Sequence, residues 1–170
     1  MLYTIAVMLV HIGVFYFTGT WKRWKEYYST ALFVVIGDFS YNILFCERFL
    51  WRYNTLLDHR IADMAYALTA FPYATMLFLR YYPKGLVKEG LYVFLWTAVY
   101  LIIESISCHI GNFIHYGDWN MYWSAVIYFF AFILIRIHYK NPLIAWPISL
   151  CFAIAMLIIF KQPFHLSCFQ

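Results

Sequence analysis

Three carboxylic acids stand inside long apolar runs of this chain: Asp38, Asp63 and Glu104. An ionisable side chain at the centre of a membrane-crossing helix costs about 2.5 kcal/mol or more unless it is neutralised, paired or wetted. Asp38, Tyr41 and Asn42 follow an i, i+3, i+4 spacing and share one helix face. Gly37 beside them lets a second helix approach closely. Asp63 and Tyr66 begin a similar face that continues through Ala67 and Ala70, and Glu104, Ser107, Cys108 and Gly111 form a third. Narrow polar stripes of this kind belong in the interior of a helical bundle. The chemistry open to them is passage of a proton, ion or small solute, binding of a ligand, or acid–base catalysis. Glu104 is the strongest candidate. His11 falls at a depth comparable to Asp38, so the two are expected to pair, directly or through water. His109 joins Glu104, Asp63 and Asn42 in the outer half. The short segment holding His115, Tyr116, Asp118, Trp119, Asn120 and, just beyond, Trp123 has no Lys or Arg and is expected to line a pocket at the outer face. The plainer alternative is that the three acids act as interhelical glue. Such hydrogen bonds average under about 1 kcal/mol in membranes, a weak account of three buried acids.

The elements that must position these residues follow from composition. The chain has 170 residues, 65% hydrophobic, 24% aromatic and 12% charged, whereas soluble domains are roughly 25% charged. A soluble fold of this size would be left with apolar patches beyond the few hundred Å² that such proteins tolerate. A bilayer core about 30 Å thick needs roughly 20 apolar residues as helix. Six such segments are predicted, near Leu2–Thr18, Thr30–Leu50, Ile61–Tyr81, Leu91–Gly111, Tyr122–Tyr139 and Pro142–Phe160. The expected fold is therefore an all-α, polytopic transmembrane helical bundle with short loops and antiparallel neighbours, a single integral membrane domain over residues 1–170. The first segment is not expected to be a cleaved signal peptide, because no basic residues precede it and no small-residue cleavage site follows. Pro72 and Pro147 fall inside predicted spans and are expected to bend them.

Eight of the twelve basic residues (Lys22, Arg23, Lys25, Arg80, Lys84, Lys88, Arg136 and Lys140) lie in the first, third and fifth loops, against four on the other side. That bias puts those loops in the cytoplasm and both termini outside a plasma membrane. Trp21 and Trp24 are expected at the inner boundary, and Trp51, Trp119 and Trp123 at the outer one. The basic clusters suit lipid headgroups rather than nucleic acid. Expected partners are membrane lipids and a second copy or another membrane protein. The four cysteines form no C-x-x-C pair and are expected to be apolar thiols; the histidines and cysteines show no ligand spacing, so no metal and no cofactor is expected. P-loop, dinucleotide-binding, H-E-x-x-H and G-x-S-x-G patterns are absent.

At Gly37-Asp38-x-x-Tyr41-Asn42, Asp63-x-x-Tyr66-Ala67-Leu68, Phe71-Pro72, Tyr82-Pro83-Lys84-Gly85-Leu86, Trp119-Asn120-x-x-Trp123-Ser124 and His138-Tyr139-Lys140-x-Pro142-Leu143, the chain resembles a family of small, uncharacterised multi-spanning membrane proteins of Bacillus-like and Clostridium-like Gram-positive bacteria. The resemblance runs from about Lys22 onward. It implies a bacterial plasma-membrane location and a polytopic helical fold, and it supplies no activity, substrate or catalytic residue.

Three functions are expected in order. The first is a small transporter or channel-like protein, or a subunit of one, built on an intramembrane carboxylate site. The second is a membrane scaffold or accessory subunit whose polar residues fix helix packing. The third is a membrane-embedded lipid-modifying enzyme, which lacks an evident nucleophile or phosphate cradle.

Overall fold

The computed structural model describes residues 2–54 and 59–162. Cys168 lies outside the described residues. In chain order the elements are α1 (Leu2–Phe17), a 3-10 turn (Thr20–Arg23), α2 (Trp24–Leu44), β1 (Trp51–Tyr53), α3 (His59–Leu68), α4 (Ala70–Arg80), α5 (Leu86–His109), β2 (Phe113–His115), α6 (Met121–Lys140) and α7 (Pro142–Ile159). The chain is mostly helical, as its composition requires. Three helices, α5, α6 and α7, are long and apolar enough to cross a membrane, and α1 with α2 passes the same test only as a pair bent by 70°. The expectation of six separate membrane-length helices is therefore met in part.

Two departures have local causes. The predicted third span is two helices, of 10 and 11 residues, each only about 15 Å long. Pro72 is the third residue of α4. Its missing N–H is one that a first helical turn leaves unbonded in any case, so proline here starts a helix instead of kinking one. Pro147, by contrast, sits within an unbroken α7. The second departure is α2, which begins at Trp24 rather than Thr30 and ends at Leu44 rather than Leu50. The residues after it are drawn into a sheet instead of a further helical turn. β1 pairs antiparallel with β2, with Trp51 opposite His115, Arg52 opposite Ile114 and Tyr53 opposite Phe113.

Helix α2 is central, packing on α4 and α6; α6 also packs on α5 and α7, and α1 lies chiefly on α4. The Tyr3 hydroxyl ties α1 to α5 by donating to the Ile103 carbonyl at 3.0 Å. One buried cluster, including Tyr27, Met76, Phe78, Val93 and Phe132, joins α2, α4, α5 and α6. The buried residues of α5 are Val93, Thr97, Glu104 and Ser107, while Leu86, Leu91, Phe94, Leu95 and Ile102 are exposed. Helix α5 is thus inverted with respect to a water-facing amphipathic helix: its inward stripe is polar and its outward face is apolar.

Candidate functional site

The polar residues gather at the end of the bundle that carries the sheet. Glu104 is five residues before the end of α5, Asp63 four after the start of α3, and Asp38 six before the end of α2. At 1.5 Å per residue, all three lie within about 10 Å of their helix ends. The earlier start and end of α2 are what move Asp38 from the expected midplane toward the sheet.

Glu104 is the best-held group. Its side chain is 4% exposed. Oε1 accepts from Ser124 Oγ at 2.5 Å and lies 2.7 Å from His115 Nε2, while Oε2 accepts from the Tyr128 hydroxyl. The Trp119 indole N–H donates to Ser124 Oγ at 3.0 Å and so orients the serine. Ser124 and Tyr128 stand four residues apart on α6 and face α5 together.

His115 arrives from β2 because α5 ends on a glycine. Gly111 has φ +72°. Its N–H bonds to Cys108 O at 3.0 Å and Asn112 N–H bonds to Ser107 O at 2.8 Å, the paired closure that a left-handed glycine permits. The chain then folds back over the end of α5. Residues directly opposite in an antiparallel pair share a face, and side chains alternate along each strand. Trp51, Tyr53, Phe113 and His115 therefore share one face and Arg52 and Ile114 the other. Arg52 lies instead against Phe49 and His59. Cys108, one turn after Glu104, places Sγ 3.9 Å from His115 Nε2. Glu104, Cys108 and His115 bring O, S and N donor atoms within 4.8 Å of one another, a grouping of metal-ligating atoms at odds with the expectation that the sequence holds no ligand set.

Asp38 and Asp63 form a second centre. They are close enough to repel. The Asn42 side chain bonds to Asp63 and also donates to the Asp38 carbonyl at 3.2 Å. Asp38 Oδ2 is buried with no hydrogen-bond partner among the described residues. Tyr53 of β1 is stacked on Tyr66 with ring centroids 4.4 Å apart. Burial pushes its phenol well above the ordinary tyrosine range; Asp63 raises it further, with smaller contributions from Tyr66, Tyr128 and Asp38. The same phenol thus feels both the Asp38–Asp63 pair and the Tyr128 hydroxyl bound to Glu104.

Several expected residues lie elsewhere. His11 does not pair with Asp38: its Nδ1 lies 2.7 Å from the Val7 carbonyl of its own helix, because α1 packs on α4 rather than alongside α2. His109 is exposed at the end of α5. The Tyr41 hydroxyl accepts from the backbone N–H groups of Leu50 and Trp51 at 3.1 Å each and donates to the Trp51 carbonyl at 3.2 Å, so it anchors β1 rather than touching Asp38. A cavity of about 450 Å³ does open at the sheet end, but Glu47, Arg48, Arg52, Tyr116 and Asp118 are among its lining and Trp119, Asn120 and Trp123 are not. Trp119 is 5% exposed and packs in the core with Trp51 and Phe160, which removes it from the outer aromatic belt. Asn120 caps α6 by accepting from the Tyr122 and Trp123 N–H groups. Trp123 packs on Phe160. Cys46 is disulfide-bonded, which corrects the expectation of a free thiol there, whereas Cys108 and Cys151 are free.

Sequence reasoning passed over His115, Ser124 and Tyr128 as partners of Glu104, and Tyr53 as a phenol in the field of Asp63 and Asp38. Ser124 and Tyr128 carry a helical signal, since their spacing marks one face of α6. Tyr53 and His115 carry only that of two short aromatic and β-branched runs, Trp51–Tyr53 and Phe113–His115. Comparison with protein-family models, with curated proteins and with solved structures finds no match to this chain.

Proposed function

We propose that the protein is a multi-pass plasma-membrane protein that passes a small cation along the acidic groups gathered beneath the β1–β2 sheet. The observation that supports this reading most is the gathering of Asp38, Asp63 and Glu104 at one end of the bundle, with Tyr53 electrostatically linked to both centres. Asp38 Oδ2, buried without a donor, is a group that packing alone leaves unexplained, because an unpaired acid in apolar surroundings is a cost. In this reading all six helical segments cross or enter the bilayer, loops one, three and five face the cytoplasm, and both termini lie outside. The bonded Cys46, in the loop assigned to the outer side, agrees with an oxidising compartment there. With so little mass outside the helices, the protein acts as an oligomer or as a subunit.

The test is flux. Purified protein is reconstituted in liposomes under imposed proton, potassium or zinc gradients. Wild type should carry at least one of these above empty liposomes, and Asp38→Asn combined with Asp63→Asn should lower that flux at least tenfold. No flux under any gradient, or flux that the double variant leaves unchanged, overturns the proposal.

One observation favours a second reading, a packing scaffold or accessory subunit: Glu104 is already satisfied by Ser124, Tyr128 and His115. That reading predicts a stable copurifying membrane protein and no flux.

A further inference from the structure

The donor set around Glu104 is mixed. A carboxylate oxygen, a thiol sulfur and an imidazole nitrogen converge within 4.8 Å. Hydrogen bonding explains the carboxylate and the imidazole. The sulfur, a weak donor and acceptor, makes one long contact of 3.9 Å to the same His115 Nε2. We propose that Glu104, Cys108 and His115 form a binding site for a borderline divalent transition metal, zinc above all. The inference rests on the donor set and holds whether or not the protein conducts a cation.

Donor chemistry selects the class of ion. Magnesium and calcium require near-complete oxygen shells, and one carboxylate beside nitrogen and sulfur does not supply them. Zinc binds Cys, His and carboxylate at about 2.3, 2.0 and 2.0 Å in a tetrahedron. Those bond lengths put neighbouring donor atoms about 3.3–3.6 Å apart. The Glu104–His115 contact of 2.7 Å and the Cys108–His115 contact of 3.9 Å bracket that range. The two contacts to His115 therefore each lie within about 1 Å of the zinc-bound spacing.

The surroundings fit the same reading. Ser124 and Tyr128 hold the carboxylate, and Trp119 holds Ser124, the kind of outer-shell support that orients metal ligands. His115, 19% exposed, offers a way in from the sheet end. Metal binding requires the Cys108 thiol to give up its proton, so affinity should rise with pH. Three protein ligands leave the fourth position for water or an exchanging ligand, which distinguishes this site from a closed structural zinc site.

The test uses the full-length protein in detergent with Cys151, exposed on α7, replaced by serine so that Cys108 is the one remaining free thiol among the described residues. Titration with Co(II) alone should give a thiolate-to-cobalt charge-transfer band saturating at one equivalent, and Zn(II), the stronger binder of the two, should abolish it. Cys108→Ser should remove the band, and His115→Ala should weaken Co(II) binding at least tenfold. Cys108 makes one long contact, so its serine variant should remain folded and serve as the decisive control. The absence of a band in wild type at stoichiometric cobalt, or a band that survives Cys108→Ser, overturns the site. A binding failure accompanied by intact flux would overturn this inference alone.

Discussion

The two acidic centres under the sheet are built on opposite terms. Glu104 is met by Ser124 and Tyr128 from α6 and by His115 from β2. Asp38 faces another acid, with Asn42 as the nearby amide and one carboxylate oxygen that has no partner. Both lie a few residues inside a helix end, so depth does not separate them. The difference is the number of neighbouring elements aimed at each acid. One strand supplies a histidine to Glu104 and, on the same face of the sheet, Tyr53 of the other strand approaches the second centre without closing a bond to it. A buried acid supplied with donors acts as a joint between elements. One left short of donors retains capacity for something that is not protein.

The sharpest way to break this comparison is Glu104→Ala. It leaves the Ser124, Tyr128 and His115 donors without their acceptor at once, and should cost about 3 kcal/mol. Unfolding of the variant in mixed detergent, compared with wild type, reads this directly; a loss below about 1 kcal/mol would mean that the donors find water instead and that Glu104 is not a joint. Gly111→Ala comes next. The left-handed backbone there should cost about 1 kcal/mol with any other side chain, although a Cβ would meet no neighbouring atom. Because that turn delivers His115, the variant should also weaken cobalt binding by the proposed site, while alanine at Gly13, which does not have a positive φ, should leave binding intact. The smallest expected effect is Asp38→Asn. Removing a carboxylate with an unpaired oxygen should leave stability within about 1 kcal/mol of wild type, on the stabilising side, and the same unfolding assay checks it. A strong destabilisation would show that Asp38 is bonded after all, and the contrast between the two centres would collapse.

The helical stripes are legible in the sequence for a simple reason. Glu104 with Ser107 and Cys108, and Asp38 with Tyr41 and Asn42, lie within one element, where spacing alone fixes the shared face. Facing was a different matter. Tyr41 shares a stripe with Asp38, yet its hydroxyl turns to the backbone of Leu50 and Trp51. The sequence of Trp119-Asn120-x-x-Trp123 reads as a polar aromatic loop. In the fold its members become a core residue, a helix cap and a packing residue, because α6 starts at Met121 and draws them in.

What the sequence by itself determined is the class: apolar runs with few charges that form helices, with acids set on polar stripes inside those runs; the structure makes three of the helices long and apolar enough to cross a membrane. Composition and periodicity are local properties, and they suffice for that. Only the tertiary structure decided that Trp51–Tyr53 pairs with Phe113–His115, that Thr69 divides one expected span into two helices, and that His115 rather than His11 meets an acid. The first and the last of these depend on contacts between separate elements of the chain. The pairing of two three-residue strands leaves almost no periodic trace in either, and the partner of a buried acid is set by which element packs beside it.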